Sequence, residues 1–414
     1  MTSRERVLKA LNHEEPDRVP LDLGGTFVTG IAASALHRLR KHLGLADQPV
    51  KVFDLFQMLG EVEMDLVERL DLDVLSVERP SVTFGIRNEN WKPWKLFDGT
   101  PVLVPGDFNV DVSLEGDWLL RPLSRADKPP IARMPKDGFY FDPIGYNEWD
   151  PNYQPPPIKQ VEESARRHWI LGEPILQYFA DRARQLRKGT DKALAMWPGG
   201  TGVNYVGRLT EFLCLLATDK EYVADLFMVA AETSVRNLEL LWEAVGDNID
   251  VFAITGLDFG TQRGEFFSVE TFRETYLPAF KKQFDWIHEH TTWKIFEHSC
   301  GSVANLIGDL VGIGLDALNP VQTTAANMDP KWLAEQFGDR LTFWGGGVDT
   351  QTTLTFGAPD EVREEVKERI RLFAPGGGMV FNPVHNIQYN TPAENIVAAY
   401  ETAREAGRYP IAMS

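Results

Sequence analysis

The length, composition and charge of the chain exclude several classes of protein. It has 414 residues, of which 43% are hydrophobic and 25% charged, which is typical of a large globular protein and too apolar for a disordered one. The formal net charge is −18, from 42 basic and 60 acidic residues. No basic run is interleaved with aromatic residues, so we expect no nucleic-acid partner.

The chain also lacks the sequence features of membrane and secreted proteins. No stretch approaches the roughly 20 apolar residues that cross a bilayer. The first residues, MTSRERVLKALNHEEPDRVP, predict an amphipathic helix rather than a signal peptide. Two cysteines, Cys214 and Cys300, provide no disulfide framework, and Cys214, in the apolar stretch EFLCLLATD, is predicted to lie in the core. We therefore expect a cytoplasmic protein that does not contact a membrane.

Short apolar runs alternate with long amphipathic runs along the chain. The short runs are rich in β-branched or aromatic residues, and most end in Gly, Asp, Asn or His, which indicates strands buried on both faces. The predicted strands are 19–25, 73–78, 194–199, 251–258, 294–301, 317–322, 342–349 and 379–386. The predicted helices are 51–70, 165–187, 207–245, 269–290, 302–313, 330–337, 359–373 and 391–406.

This alternation predicts an α/β fold with a parallel sheet. Eight strand–helix units favour closure into a (β/α)8 TIM barrel, and we expect residues 1–414 to form a single barrel domain. The alternative is an open, doubly wound sheet. No G-x-G-x-x-G motif follows the first strand, which weakens a dinucleotide-binding version of that alternative.

Residues 81–160 interrupt the alternation. The turn signals Asp98-Gly99 and Glu115-Gly116 lie between runs of alternating residues, which predicts β-hairpins. We interpret this stretch as a β-hairpin-rich excursion between barrel strands 2 and 3. Its tryptophans, Trp91, Trp94 and Trp118, are predicted to pack at a barrel end in preference to binding a ligand.

Polar residues gather at the carboxyl ends of the predicted strands. In a barrel these ends form one face, where catalytic groups gather. The residues at or near the ends are Asp22, Glu78, Asp258, His298, Cys300, Asn319, Gln322, Asp349 and His385.

The fragment Glu297-His298-Ser299-Cys300-Gly301 carries a pattern that fits a metal. Residues i and i+2 of a strand point to the same face, so His298 and Cys300 can hold one ion together. An imidazole with a thiolate suits Zn²⁺, and His385, at the end of the last predicted strand, is the best third ligand. The alternative is a buried cysteine beside a hydrogen-bonded histidine.

Four segments resemble the uroporphyrinogen decarboxylase superfamily. They are RERVLKALNHEEPDRVPLDLGG, FGTQRGEFFSVETFRETYLPAFKK, HSCGSVANLIGDLVGIGLDALNPVQ and VHNIQYNTPAENI. The resemblance covers almost the whole chain and is weakest over 81–160. It implies a (β/α)8 barrel, in agreement with the pattern of strands and helices.

Two branches of that superfamily imply different functions. The decarboxylase itself uses no cofactor and holds the substrate's carboxylates with an arginine-rich motif similar to MRQAGR. The corresponding segment here, LDLGGTFVTG, has no arginine, although Asp258 and His385 match positions of the decarboxylase. The zinc-dependent, corrinoid-linked methyltransferases, similar to the methylcobamide:coenzyme M enzymes, carry an H-x-C pair and a third cysteine before T-P-x-E-N. His298 and Cys300 match the pair, and His385 lies six residues before Thr391, with histidine in place of cysteine.

The methyltransferase resemblance implies a methyl transfer between a corrinoid and a small thiol, methoxylated or methylamine-type substrate. It implies Zn²⁺ on the chain and a corrinoid on a separate small protein; a homodimer is also expected. Asp258 and Glu297 are the predicted general base or orienting residues, with loop capping as the alternative for Asp258. Asn319, Gln322 and Asp349 are the predicted cofactor-binding residues. The alternative functions are uroporphyrinogen decarboxylation and ligand binding by a barrel without catalysis.

Overall fold

The computed structural model describes residues 1–81, 83–145, 148–202, 205–254 and 258–411. Within these ranges the fold is α/β. In chain order the strands are β1 (Val50–Asp54), β2 (Leu59–Gly60), β3 (Val74–Val77), β4 (Lys92–Lys95), β5 (Pro101–Val104), β6 (Val110–Val112), β7 (Trp118–Leu120), β8 (Ala132–Met134), β9 (Asp142–Pro143), β10 (Ala193–Met196), β11 (Val251–Ile254), β12 (Lys294–His298), β13 (Ala317–Asn319), β14 (Thr342–Trp344) and β15 (Met379–Val380).

The helices begin largely where the sequence carries start signals. Ser268 caps α8 by accepting the backbone N–H of Thr271, and Pro359 is the first residue of α12. In chain order the helices are α1 (Ser3–Leu11), α2 (Ala33–His42), α3 (Met64–Leu70), α4 (Ile158–His168), α5 (Glu173–Gly189), α6 (Leu209–Thr218), α7 (Lys220–Val245), α8 (Val269–His290), α9 (Ala304–Gly312), α10 (Pro330–Phe337), α11 (Thr353–Phe356), α12 (Pro359–Phe373) and α13 (Ala393–Ala406). No helix in the described ranges is long and apolar enough to cross a membrane.

Seven parallel strands form the central sheet, in the order β15-β14-β13-β12-β11-β10-β3. Consecutive strands are neighbours, and helices connect them, as βαβ units require. One face carries small and aromatic side chains that form an inner cluster, and the other face packs against the helices. The inner cluster includes Val74, Ala193, Ala195, Val251, Ala253, Phe296, Ala317, Trp344 and Val380.

The N-terminal segment hydrogen-bonds to both edges of this sheet. Leu21 forms a parallel bridge with Phe381, which follows β15. On the other side, the carbonyl oxygen of Leu21 accepts the backbone N–H of Asp73, which precedes β3. The segment around Leu21 therefore lies between the two edge strands.

A buried ion cluster holds this segment in place. The side chain of Asp73 is 0% exposed and pairs with Arg6 at 2.7 Å and with Arg18 at 2.6 Å. Its carboxylate also accepts the backbone N–H of Leu21 at 2.8 Å. The arginines therefore join α1 and the segment after it to the start of β3.

Two smaller sheets consist mainly of antiparallel strands. Their strands lie between β3 and β10 in the chain, except for β1 and β2, which precede β3. Their strand orders are β2-β1-β5-β4 and β6-β7-β8-β9. Trp118 stacks on Phe97 with ring centroids 4.1 Å apart, and Trp94 packs edge-on against Phe108 at 5.2 Å. Trp94 and Trp118 therefore pack against aromatic rings, while the placement of these tryptophans at a barrel end stays a prediction.

Several predictions of local structure are wrong. The predicted helix 51–70 is a strand, β1, over its first part, because the run VKVFD pairs in parallel with β5. The helix α2 was missed. Cys214 is exposed, because Phe212 and Leu216 occupy the buried face of α6 and Cys214 lies on the opposite face. The predicted strand 19–25 forms only one isolated bridge, between Leu21 and Phe381, and part of the predicted strand 251–258, residues 255–257, lies outside the described residues.

Substitution of Asp73 tests the buried ion cluster. Asp73→Ala leaves two largely buried guanidinium groups without their shared partner, so we expect it to lower the free energy of unfolding by about 3–5 kcal/mol. The measurement is urea denaturation at neutral pH. As a control, Asp181→Ala removes the exposed Arg184–Asp181 pair and should change the free energy of unfolding by less than about 0.5 kcal/mol. Equal effects of the two substitutions would contradict this role for Asp73.

The Glu78 carboxyl, directly after β3, is expected to make the free energy of unfolding depend on pH. Burial raises the pKa of Glu78 to about 8, and the nearby Glu61 carboxylate adds to the shift. The unfolded chain releases this proton near pH 4.5, the ordinary value, while the folded chain keeps it until about pH 8. The folded state therefore binds more protons between these values, and stability decreases as the pH rises through that window.

Glu78→Gln removes this titration without changing the shape of the side chain. We expect its free energy of unfolding to decrease less than that of the unsubstituted protein when the pH is raised from about 5 to about 8. Denaturant titrations at several pH values measure the difference. Parallel pH profiles for the two proteins would show that Glu78 has an ordinary pKa.

Candidate metal site

Two imidazoles and one thiol meet beyond the carboxyl end of the parallel sheet. His298 is the last residue of β12, Cys300 follows two residues later, and His385 lies in the loop after β15. Their ligand atoms all lie within 4.8 Å of one another. The Cys300 Sγ is 3.4 Å from His298 Nε2, and the two imidazole centroids are 5.6 Å apart.

Asn319 determines which nitrogen of His298 faces this cluster. The Asn319 Nδ2 donates to the carbonyl oxygen of Trp344 at 2.8 Å, so its Oδ1 faces His298 Nδ1, 2.6 Å away. A neutral imidazole must donate from Nδ1 to that oxygen, which leaves the lone pair on Nε2, the atom beside Cys300. Metal-ligating histidines are commonly oriented in this way.

Contacts between two loops fix the position of Cys300. The backbone N–H of Cys300 donates to Asp258 Oδ1 at 2.8 Å. Gly301 has a φ of +88°, and a Cβ at that position would lie 2.3 Å from the carbonyl carbon of Gly260. The loops after β11 and β12 can approach this closely only with glycine at position 301.

The protonation states of the cluster agree with metal ligation. Burial lowers the pKa of His385 to about 4, and His298 nearby adds to the shift; burial also lowers the pKa of His298. Both imidazoles are therefore neutral at pH 7, the form that binds metals. Burial raises the pKa of the Cys300 thiol, so a metal is needed to displace its proton. This donor set, two nitrogens and one sulfur, fits Zn²⁺ with an open coordination position.

A cavity of about 490 Å³ opens beside the cluster. Cys300 and His385 form part of its wall, and Tyr140 and Gln388 form another part, joined by a hydrogen bond of 2.8 Å from the Tyr140 hydroxyl to Gln388 Oε1. The sequence analysis missed Tyr140, because it comes from the excursion between β3 and β10 and no local pattern relates it to the strand ends.

The other predicted site residues occupy different positions. Glu297 is 0% exposed and adjoins His298 on β12, so the alternation of the strand directs it to the opposite face, away from the cluster. Within the described residues, neither of its carboxylate oxygens has a hydrogen-bond partner. Asp258 is near the cluster, with Oδ1 3.9 Å from His298 Nε2 and a side chain that is 49% exposed.

The three predicted cofactor-binding residues differ in their access to the cavity. Asn319 is fully buried and orients His298. Asp349 accepts hydrogen bonds from the backbone and hydroxyl of Thr352, and thus caps its own loop. Gln322 lines the cavity, and its Oε1 accepts the backbone N–H of Gly301 at 2.7 Å.

Asp22 and Glu78 do not join the cluster. Asp22 is 0% exposed and accepts the indole N–H of Trp344 at 2.8 Å, so it supports the interior of the sheet. Glu78 lines a separate small cavity together with Trp197. Only part of the polar set at the strand ends therefore converges.

Comparison with known proteins shows the family of the chain. A sequence model of the family described as uroporphyrinogen decarboxylase (URO-D) matches residues 176–406, more than half of the chain. The uroporphyrinogen decarboxylase of Herminiimonas arsenicoxydans is 29% identical over 106 residues, which cover 23% of this chain and only 28% of that protein.

Solved structures show a likeness of fold. A methyltransferase from Methanosarcina mazei has a TM-score of 0.53 and 19% identity, with 98% of each chain covered. The apo form of the homocysteine methyltransferase MmuM from Escherichia coli is 11% identical over 61% of this chain and 77% of that chain, and its TM-score of 0.29 is too low to carry an argument. The family match and the shared fold lead to one conclusion: the chain belongs to the uroporphyrinogen decarboxylase family.

Proposed function

We propose that this chain is a zinc-dependent methyltransferase. It moves a methyl group between a corrinoid, carried by a separate small protein, and a small thiol, methoxylated or methylamine-type substrate. The observation that carries this proposal is the convergence of His298, Cys300 and His385 within 4.8 Å at the wall of a cavity. The fold shared with the methyltransferase of Methanosarcina mazei is consistent with it.

We also propose that the sheet is a closed (β/α)8 barrel, that the chain is a single domain, and that 81–160 is an excursion from it. The support is the pair of hydrogen-bonded contacts that Leu21 makes, one with the edge after β15 and one with the edge before β3. In such a barrel the cluster lies at the carboxyl ends of the strands, where barrel enzymes carry their active sites.

The chain's own residues would hold the metal and position the substrate. His298 Nε2, Cys300 Sγ and one nitrogen of His385 are the ligands, and Asn319 keeps the His298 ring in its ligating tautomer. Bound zinc lowers the pKa of a coordinated thiol or alcohol, so that the anion exists at neutral pH.

We propose that Asp258 accepts the proton that the substrate releases. Its Oδ1 lies 3.9 Å from His298 Nε2, and the exposed half of its side chain can pass a proton to water. For a thiol acceptor, the S–H bond breaks and the proton goes to Asp258. The sulfur electron pair forms the S–C bond, and the bond from the donor to the methyl carbon breaks with its electron pair left on the donor.

Two further proposals, that a separate small protein carries the corrinoid and that the chain forms a homodimer, rest on the resemblance to the methyltransferase branch. Of the three predicted cofactor-binding residues, only Gln322 reaches the cavity, so no corrinoid contact is assigned to Asn319 or Asp349.

The second candidate is decarboxylation of a uroporphyrinogen-type substrate, which the family match favours. A porphyrinogen carries many carboxylates that need cationic partners. The described residues lining the cavity include no lysine or arginine, and the segment LDLGGTFVTG contains no arginine. These two observations favour the methyltransferase.

Metal content tests the proposal. Protein purified after expression with zinc should contain about one zinc per chain by inductively coupled plasma mass spectrometry, and His298→Ala, Cys300→Ala and His385→Ala should each lose most of it. Asn319→Ala leaves the ligands in place but frees the ring of His298, so we expect a 10- to 100-fold lower zinc affinity.

The matched control is Cys214→Ala, because Cys214 is the other cysteine and lies exposed on α6. It should keep the full zinc content. Zinc that persists in the His298 and Cys300 variants would refute the proposed site. Metal-free protein that converts uroporphyrinogen would establish the decarboxylase, and a metal-free protein that only binds a small ligand would indicate a barrel without catalysis.

A further inference from the structure

We infer that the substrate carries one carboxylate, and that Arg79 and Glu78 bind it in the small cavity beside Trp197. The inference rests on the proposed function for the position of the substrate's reacting end. It narrows the substrate class to small molecules with a single carboxylate, and it adds a second binding site beside the metal cluster.

The first observation is a cation without a counter-ion. Arg79 is partly buried and lines this cavity. Among the residues that the structure describes, its guanidinium group makes no hydrogen bond and no ion pair, and it lies 5.9 Å from the ring centroid of Phe27. Burial lowers the pKa of Arg79, because the enclosed charge has lost part of its hydration. A carboxylate in the cavity would compensate that loss with two parallel hydrogen bonds.

The carboxylate of Asp54 acts on Arg79 but leaves its donors free. The two oxygens of Asp54 accept the backbone N–H groups of Phe56 at 3.1 Å and of Gln57 at 3.3 Å. Burial raises the pKa of Asp54 to about 6, and the charge of Arg79 opposes this shift. Asp54 therefore weakens the positive field of Arg79 without occupying the guanidinium group.

The second observation is a carboxyl group that can donate a hydrogen bond. Glu78 lines the same cavity, and its side chain makes no hydrogen bond to the described part of the chain. Burial raises the pKa of Glu78 to about 8, so the group keeps its proton at pH 7. A ligand carboxylate accepts this proton in a strong O–H···O⁻ bond, because the two groups are similar in basicity. A sulfonate is a much weaker base and would accept it poorly.

The cavity has room for one such group only. Its volume is about 20 Å³, against about 490 Å³ for the cavity beside the metal cluster. Measured in the same way, a single water needs roughly 10–15 Å³, so a carboxylate can enter but a whole substrate cannot. The remainder of the substrate must lie outside this cavity.

Trp197 connects this cavity with the metal cluster. Its indole lines the cavity, packs on Phe27 with ring centroids 4.3 Å apart, and has its centroid 6.1 Å from that of the His298 imidazole. A substrate that lies along the indole places its carboxylate at Arg79 and its reacting end at the cluster. Zinc in the cluster would add to the attraction for an anion and therefore acts in the same direction as Arg79.

Binding of benzoate to metal-free protein tests the inference, because no zinc is then present to capture the anion. Isothermal titration calorimetry at pH 7 should show benzoate binding at least about tenfold more tightly than neutral benzyl alcohol, a difference of roughly 1.4 kcal/mol. Benzoate should also bind more tightly than benzenesulfonate. Arg79→Met should weaken benzoate binding at least about tenfold. The control is Arg371→Met, which removes an exposed cation in the last turn of α12 and should leave the affinity unchanged.

A pH profile tests the part played by Glu78. Between pH 7 and pH 9 the carboxyl loses its proton and then repels the ligand, so benzoate affinity should decrease about tenfold. Glu78→Gln keeps a donor that cannot ionise, and its affinity should stay nearly constant over the same range. Any pH dependence left in that variant belongs to the other groups that act on Glu78 or are affected by it, which are Glu61, Asp54, Arg182, Lys51 and Tyr178.

The inference is overturned if benzoate affinity is unchanged in Arg79→Met or equally reduced in Arg371→Met. It is also overturned by tighter binding of benzenesulfonate, by no benzoate binding at millimolar concentration, or by identical pH profiles with and without Glu78→Gln. If Arg79→Met does not fold, the pH profiles decide. A protein that holds no zinc but binds benzoate through Arg79 retains the carboxylate site and loses the proposed chemistry. A zinc protein whose benzoate affinity ignores Arg79 retains the chemistry and loses the inference.

Discussion

The register between β12 and β13 is the constraint on which the candidate site depends. It pairs His298 with Asn319, so both side chains point to the inner face of the sheet. The neighbouring strand β14 supplies the Trp344 carbonyl oxygen that holds the Asn319 amide. Three adjacent parallel strands therefore determine the tautomer of one imidazole. A shift of one residue would turn His298 outward and bring Glu297 inward.

The loops that follow these strands complete the site and hold Cys300 in a fixed position. Asp258 accepts the Cys300 backbone N–H, Gln322 accepts that of Gly301, and the close approach of Gly301 to Gly260 leaves no room for a side chain. The thiol is consequently positioned before any metal arrives. Pre-positioned ligands lose less conformational entropy on binding, which favours metal affinity.

Much of the sheet could be predicted from the sequence, because its strands are continuous apolar runs and its helices carry local start signals such as Ser268. The pairing of His298 with Cys300 could also be predicted, since it follows from the period of a strand. Contacts between segments that are distant in the chain could not be predicted in this way. The run 51–54 has the β-branched and aromatic residues of a strand, but its parallel pairing with β5 could not be predicted, and Tyr140 reaches the cavity only through tertiary packing. The hydrogen bonds of Asn319 could not be predicted either, because its partners, His298 and Trp344, lie on two other strands.

The central claim is that His298, Cys300 and His385 bind one zinc ion together. Zinc K-edge X-ray absorption of the purified protein tests it most directly, since the method counts ligand types and measures their distances. The account predicts one sulfur at about 2.3 Å and two imidazole nitrogens at about 2.0–2.1 Å, with the sulfur contribution absent in a Cys300→Ala variant reloaded with zinc. A zinc ion surrounded only by oxygen and nitrogen in the unsubstituted protein would contradict the claim.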